Sequence, residues 1–222
     1  MFLEERFRSF TREEVSKLKI NSLLRKAFPH APNALSKIKT WSEQRKKEYL
    51  LARCMLQEIV IQEKILLDEN TFLSNKDRTC IWPKGYTGTI SHTLKRSSGE
   101  LSVIVALSDK NIGYDLEYLE RFNDSKLERV ICTEDEQELL KSFSHKELHL
   151  GFIFCAKEAL FKKLYPICNT FFGFHDAKVI NISKNSSLQI ELVKTLPNID
   201  KKIFKANLEL IEKKIVLAKI LV

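Results

Sequence analysis

The spacing of apolar residues changes along the chain, and this change constrains the fold more than any other feature of the sequence. Residues 39–70 place apolar side chains at helical intervals, whereas residues 88–119 alternate apolar and polar positions as β-strands do. Further helical patterns occupy residues 133–143 and 147–165, and further strand-like runs occupy residues 187–193, 203–212 and 214–222. Each half runs from helices into strands, which predicts an α+β fold of two similar halves, residues 1–109 and 110–222.

Local signals sharpen this prediction at several points. Thr40 and Glu43 form a capping-box pattern at the start of the first long helix, and Thr133 is suited to cap a later one. The strand-like runs within residues 88–119 are separated by turn-rich segments, so a three-stranded antiparallel meander is the simplest interpretation. Pro166 predicts the end of the last long helix, because proline removes a backbone donor.

Composition excludes several classes of protein and leaves others open. The chain has 222 residues and 44% hydrophobic content, yet no apolar run approaches the length of a membrane span, and its charged N-terminus does not resemble a secretory signal. Five widely spaced cysteines predict reduced thiols in a cytoplasmic protein. The net charge of +8 favours an anionic partner, which could be nucleic acid, a phosphorylated ligand, an acidic protein or a membrane surface.

Two carboxylates stand two residues apart in the strand-like stretch IGYDLEYLE. Asp115 and Glu117 therefore point to one side of the strand, either as a solvated polar face or as part of a metal site. Glu158 and Lys162 are four apart in an apolar helix, where they form either an ordinary ion pair or part of the same site. Three neighbouring carboxylates need a cation to remain ionised together, and Mg²⁺ prefers such oxygen ligands.

Basic and polar residues in the first half are candidates for binding phosphate. Ser91 and His92 are expected on a strand paired with the strand of the two acids, where His92 is either structural or a donor to a phosphate oxygen. Arg45 and Arg53 lie two helical turns apart. Arg53 borders the apolar stripe, so it must either pair with a buried acid or capture a phosphate.

Four segments in a fixed order carry a resemblance to a known family. They are QRKKEYLLAR, WPKGYTGTISHT, IGYDLE and FCAKEALFKKLYP, followed by FFGFHDA. Together they resemble the 4'-phosphopantetheinyl transferase superfamily, specifically the monomeric branch that includes the enterobactin-synthase-associated enzymes. The resemblance implies a pseudo-dimer of two α+β halves with the active site in the cleft between them.

The resemblance also implies a reaction and a set of site residues. The reaction is transfer of the phosphopantetheine arm of coenzyme A to a serine of an apo carrier protein, with release of adenosine 3',5'-bisphosphate. Asp115, Glu117 and Glu158 would be the Mg²⁺ ligands, and Lys162 would contact the pyrophosphate. The implied coenzyme A contacts are, in chain order, Arg45, Arg53, Arg78, Lys84, Ser91, His92 and Lys162.

Several points stay open at the level of sequence. Glu158 is our choice of general base, with Glu117 as the competitor. A Mg²⁺-dependent nuclease would also suit the acids and the basic charge, and a basic nucleic-acid-binding module without catalysis is a further alternative. We expect a cytoplasmic monomer with no nucleic-acid or membrane partner. Carriers of fatty-acid, polyketide, nonribosomal-peptide and siderophore biosynthesis all remain candidates, as do Mg²⁺ and Mn²⁺.

Overall fold

The computed structural model describes residues 2–29, 36, 38–124, 126–183 and 186–221. The chain divides into two compact units, Met1–Lys110 and Asn111–Val222. Each unit packs helices against one antiparallel sheet, of three strands in the first and five in the second, which confirms the predicted α+β class. In the described part of the chain, no helix is both long and apolar enough to cross a membrane.

The first unit is built on a three-stranded sheet in the order β1-β3-β2. Its elements are β1 (Leu3–Phe10), α1 (Arg12–Lys17), α2 (Ile20–Ala27), α3 (Glu43–Gln62), β2 (Thr87–Leu94) and β3 (Leu101–Ser108). Strands β2 and β3 pair as expected, but the other neighbour of β3 is β1. The predicted meander is therefore wrong in its third strand. Strand β1 gave no clear signal because its sequence, LEERFRSF, carries charged residues on both faces.

Helix α3 begins and ends differently from the prediction. The Ser42 side chain accepts a hydrogen bond from the backbone N–H of Arg45, so Ser42 is the N-cap and the predicted Thr40–Glu43 box is wrong. The helix stops at Gln62 because Lys64 adopts a left-handed conformation with φ of 54°. The N–H of Ile65 then reaches back to the carbonyl of Val60, which is the bond of a Schellman motif.

The second unit contains a five-stranded sheet in the order β4-β8-β7-β6-β5. Its elements are β4 (Gly113–Tyr118), a 3₁₀ turn (Leu119–Asn123), α4 (Lys126–Ile131), α5 (Glu134–Lys141), α6 (Lys146–Cys168), a second 3₁₀ turn (Phe174–Asp176), β5 (Ala177–Ser183), β6 (Ser187–Leu192), β7 (Ile203–Ile211) and β8 (Ile215–Ile220). The three predicted C-terminal strands are confirmed, whereas β5 was not expected. Strand β4 is an edge strand, and it pairs with β8 rather than with β3.

Helix α6 supplies most of the core of this unit. Thr133 caps the preceding helix α5 with a complete capping box, as predicted. Pro166 lies inside the last turn of α6, so the prediction that it ends the helix is wrong by one turn. The helix instead ends at Cys168, because Asn169 adopts a left-handed conformation with φ of 45°.

A buried ion pair ties α6 to its neighbours. The Lys157 ammonium lies 2.7 Å from a Glu136 carboxylate oxygen on α5, and both side chains are almost fully buried. Lys157 also donates to the carbonyls of Ile131, at 3.0 Å, and Phe174, at 2.9 Å. All three protons of the ammonium thus have an acceptor, which is the condition for burying a charge without a large penalty.

Helix α6 approaches β4 so closely that only glycine fits at position 113. A Cβ on Gly113 would lie 1.8 Å from the carbonyl oxygen of Ala159 and 2.9 Å from the backbone nitrogen of Lys163. Both atoms belong to the helix backbone and cannot turn aside. This contact sets the distance between the two elements that carry the acidic residues of the second unit.

We expect Gly113→Ala to lower the free energy of unfolding by about 3 kcal/mol, the upper end for overpacking, because backbone must move. Urea unfolding of the variant measures this loss. Gly173→Ala is the control, since a Cβ there meets no atom within 4 Å. Equal stability of the two variants would contradict the role of Gly113 as a spacer.

Candidate active site

The two acids of β4 are buried on the face that packs against α6. Asp115 is 6% exposed and Glu117 is 8% exposed, so the alternative of a solvated strand face is wrong. They pair in register with Ala218 and Val216, which belong to the core formed with α6. Tyr114 lies on the opposite face, as the alternation predicts. Two buried carboxylates on one strand face must be balanced by nearby positive charge.

Helix α6 brings a lysine and a third carboxylate to these acids. Lys162 Nζ lies 2.7 Å from Asp115 Oδ1. Glu158 is one turn earlier on α6, and burial raises the pKa of its carboxyl, with the negative charge of Asp115 raising it further. The charges of Lys162 and Arg121 partly offset this effect. The structure therefore brings Asp115, Glu158 and Lys162 into one electrostatically coupled group.

The Glu117 carboxylate is held by groups at and just after the C-terminal end of β4. One carboxylate oxygen accepts the N–H of Tyr118 at 3.0 Å, and the other contacts the Arg121 guanidinium. Arg121 comes from the 3₁₀ turn after β4 and also lies over the ring of Phe154, at 4.9 Å from the ring centre. The sequence interpretation missed Arg121, although its position four residues after Glu117 was a usable signal.

A pocket of about 160 Å³ adjoins Glu158. Four phenylalanines dominate its wall, together with Lys157, Gly173 and Ala177; they are Phe161, Phe171, Phe172 and Phe174. Burial is the largest cause of the raised pKa of Glu158. Phe171 is the most exposed of the four rings, at 71%.

The acidic residues have the chemistry of a site for a hard divalent cation. Carboxylate oxygens are the ligands that Mg²⁺ prefers, and a cation would relieve the repulsion between Asp115 and Glu158. Among the described residues, however, no three His, Cys, Asp or Glu side chains stand close enough together to hold a metal ion. Asp115 is turned to Lys162 and Glu117 to Arg121, so binding of a metal by these acids would require both carboxylates to exchange a cationic side chain for the ion.

In the first unit, a second cluster joins two predicted coenzyme A residues. Arg45 Nη1 lies 2.7 Å from His92 Nε2. Glu48, which the sequence interpretation did not single out, lies between them on α3, with its Oε2 atom 3.3 Å from Arg45 Nη1 and 3.6 Å from His92 Nδ1. Ser91 points to the other face of β2, as its buried position opposite Ile104 requires.

The expected pairing of the Ser91–His92 strand with the strand of the acids is wrong. Strand β2 pairs with β3, and β4 pairs with β8 in the other sheet. The two strands follow the same short-period pattern, and such a pattern does not specify which strand is the neighbour.

Arg53 is a buried residue of the first unit. Its guanidinium donates to the carbonyls of Phe72, at 3.3 Å, and Tyr49, at 3.5 Å, and its Cζ atom lies 3.7 Å from the centre of the Tyr49 ring. The bond to Phe72 ties α3 to the irregular segment that follows the helix. Arg78 and Lys84 are exposed further along this segment. Phosphate binding by these three residues stays a prediction.

Family models match both units of the chain. The model described as 4'-phosphopantetheinyl transferase superfamily matches residues 111–213, which include every acid of the second unit discussed above. The model described as 4'-phosphopantetheinyl transferase N-terminal domain matches residues 32–97, which include Arg45 and His92.

One curated relative is similar to part of the chain. It is the 4'-phosphopantetheinyl transferase Npt of Nocardia iowensis, which is 32% identical over 102 residues. The match covers 45% of this chain and 43% of that protein, so less than half of the relative is represented. The two family models nevertheless describe successive parts of one superfamily and together match most of the sequence in the expected order. This chain belongs to the 4'-phosphopantetheinyl transferase superfamily.

Proposed function

We propose that the protein transfers the 4'-phosphopantetheine arm of coenzyme A to a serine of an apo acyl or peptidyl carrier protein, with Mg²⁺ as cofactor and adenosine 3',5'-bisphosphate as the product released. One observation carries the proposal: the buried pair Asp115 and Glu117 packs against the turn of α6 that presents Glu158 and Lys162. Membership of the superfamily supports the same reaction.

Glu158 is the proposed general base. The serine hydroxyl must lose its proton as its oxygen forms a bond to phosphorus, and the P–O bond to the bisphosphate breaks on the other side. Because burial and the charge of Asp115 raise the pKa of Glu158, its carboxylate holds a proton more readily than an ordinary glutamate does. Glu117 is less suited, because both of its oxygens already accept from Tyr118 and Arg121.

Lys162 is the proposed contact to the departing phosphate. Its ammonium now lies against Asp115, so a pyrophosphate placed here would exchange one anionic partner for another at little cost. Asp115, Glu117 and Glu158 would hold Mg²⁺. When bound, the ion supplies positive charge that stabilises the pyrophosphate as it becomes more negative.

The residues of the first unit are proposed to bind the nucleotide end of coenzyme A. Arg45 and His92 are the best supported, because they lie together and partly exposed. Exposed Arg78 and Lys84 are further candidates, whereas buried Arg53 and Ser91 are candidates by resemblance alone.

The partner and setting of the reaction are also proposals. Carrier proteins are generally acidic, so the net charge of +8 supports electrostatic attraction between the two proteins. The branch of enterobactin-synthase-associated enzymes points to siderophore or other secondary metabolism. The proposed state is a monomer in the cytoplasm; the five free cysteines support the reducing compartment, and the resemblance to the monomeric branch supports the monomer.

The test is to incubate the protein with coenzyme A, Mg²⁺ and a panel of apo carrier proteins, and to weigh the carriers intact. We expect a mass gain of one phosphopantetheine on at least one carrier, and none after the carrier serine is changed to alanine. No gain on any carrier, with cleavage of added DNA or RNA instead, would favour the nuclease alternative.

A further inference from the structure

The cluster of Arg45, Glu48 and His92 fixes the proton of the histidine ring. A guanidinium only donates hydrogen bonds, so His92 Nε2, at 2.7 Å from Arg45 Nη1, must accept. The ring proton of neutral His92 therefore lies on Nδ1. The Nδ1 atom faces the Glu48 carboxylate at 3.6 Å, which favours a proton at that position.

Glu48 is itself well fixed. It is 12% exposed at the side chain, and its second oxygen accepts from the Gln44 amide at 3.1 Å. Its first oxygen is also 3.3 Å from Arg45 Nη1, so one carboxylate contacts both basic partners. Arg45 is further held over the Trp41 ring, at 5.7 Å from the ring centre.

We propose that Glu48 is a positioning residue for coenzyme A. It holds His92 in the Nδ1–H form and aims the Arg45 guanidinium, so that both side chains are oriented before a phosphate arrives. Glu48 touches no substrate; it acts through Arg45 and His92. This inference rests on the proposed function, since it concerns binding of the same substrate.

The consequence is a specific kinetic pattern. Removing the acceptor at position 48 leaves the acids of α6 and β4 untouched, so the chemical step is unchanged while binding of coenzyme A weakens. Carboxylates that orient a metal-ligating histidine typically contribute about 10- to 100-fold to affinity or activity, and we apply the lower end of that range to a histidine that binds phosphate. We expect Glu48→Leu to raise the KM for coenzyme A about 10-fold with little change in kcat.

Glu48→Gln and Glu43→Gln complete the comparison. Glutamine keeps an acceptor oxygen, so Glu48→Gln should recover most of the affinity. Glu43 is on the same helix, its side chain is 70% exposed, and it pairs with Lys46 rather than with Arg45 or His92, so Glu43→Gln should behave as wild type. Binding of adenosine 3',5'-bisphosphate by calorimetry should follow the same order.

A spectroscopic measurement of the His92 ring tests the proposal without relying on turnover. Nitrogen NMR of the His92 ring in the free protein should show the proton on Nδ1 in the wild type and in Glu43→Gln. In Glu48→Leu we expect a shift towards the Nε2–H form, because the carboxylate that faces Nδ1 is gone and no longer holds the Arg45 guanidinium against Nε2. An unchanged ring signal and an unchanged KM in a folded Glu48→Leu would overturn the proposal, and so would a fall in kcat alone. Failure of the proposed function would instead appear as a wild type that transfers nothing while its ring signal still depends on Glu48.

Discussion

Replacing Glu158 by glutamine is expected to reduce phosphopantetheine transfer by at least about 100-fold while leaving the fold intact. Glutamine keeps the size of the side chain but cannot take the serine proton, and it offers a metal ion one neutral oxygen in place of a carboxylate. The measurement is the initial rate of mass gain on an apo carrier, at saturating coenzyme A and Mg²⁺.

The same substitution should stabilise the protein at neutral pH when no divalent cation is added. Burial, followed by the charge of Asp115, raises the pKa of Glu158 above its ordinary value of 4.5 in the folded chain. Stability from this group is therefore fully present below about pH 4.5 and is lost as the pH rises through the folded pKa. Glu158→Gln removes that loss, so its advantage in Tm should appear on raising the pH and vanish at acidic pH.

Glu147→Gln is a matched control, because Glu147 is an exposed acid in the first turn of the same helix. We expect it to keep wild-type transfer. Wild-type transfer by Glu158→Gln would exclude Glu158 as the base, and an unchanged dependence of Tm on pH would contradict the burial of its charge.

Replacing Lys157 by methionine is the change with the largest expected effect on stability. The Glu136 carboxylate would keep the N–H groups of Thr133, at 2.7 Å, and Val179, at 2.6 Å, but would lose the Lys157 ammonium that lies against it. Breaking a buried pair in this way typically costs about 3–5 kcal/mol, because one charge stays buried without compensation. The loss should appear as faster amide hydrogen exchange throughout α6.

Lys178→Met is the control for this experiment. Lys178 pairs with Asp135, so this contact also joins α5 to β5, but at the surface. Exposed pairs contribute little, so we expect no measurable change in hydrogen exchange. A Lys157→Met variant as stable as Lys178→Met would show that the buried pair is not a major support of the second unit.

The helices and most strands could be predicted from sequence because their signals are local. The apolar spacing of α3 and α6 and the short period of β2, β3 and β4 mark each as a helix or a strand, although α3, α6, β3 and β4 are buried on more than one face. Strand pairing could not be predicted this way, since β4 leaves the first sheet and joins β8 from the far end of the chain. Nothing in the alternation of β4 specifies that partner.

The residues of the candidate site also fall into two groups, those that local sequence signals could identify and those that they could not. Asp115, Glu117, Glu158 and Lys162 were identified because their spacing on a strand and a helix is regular and because the motifs match a family. Contacts between elements distant in sequence were missed, as the pairing of Lys157 with Glu136 illustrates. Each of those residues looks like an ordinary surface charge until the fold brings its partner near.

The central claim is that one divalent cation binds to Asp115, Glu117 and Glu158 together. The most direct test is to titrate Mn²⁺ into the protein with coenzyme A present and to measure the heat of binding. We predict a single site per chain in the wild type and in Glu147→Gln, with the binding heat lost in Asp115→Asn and in Glu158→Gln. Equal binding of Mn²⁺ by the wild type and Asp115→Asn, or no binding by the wild type, would contradict the claim that these three acids share one cation.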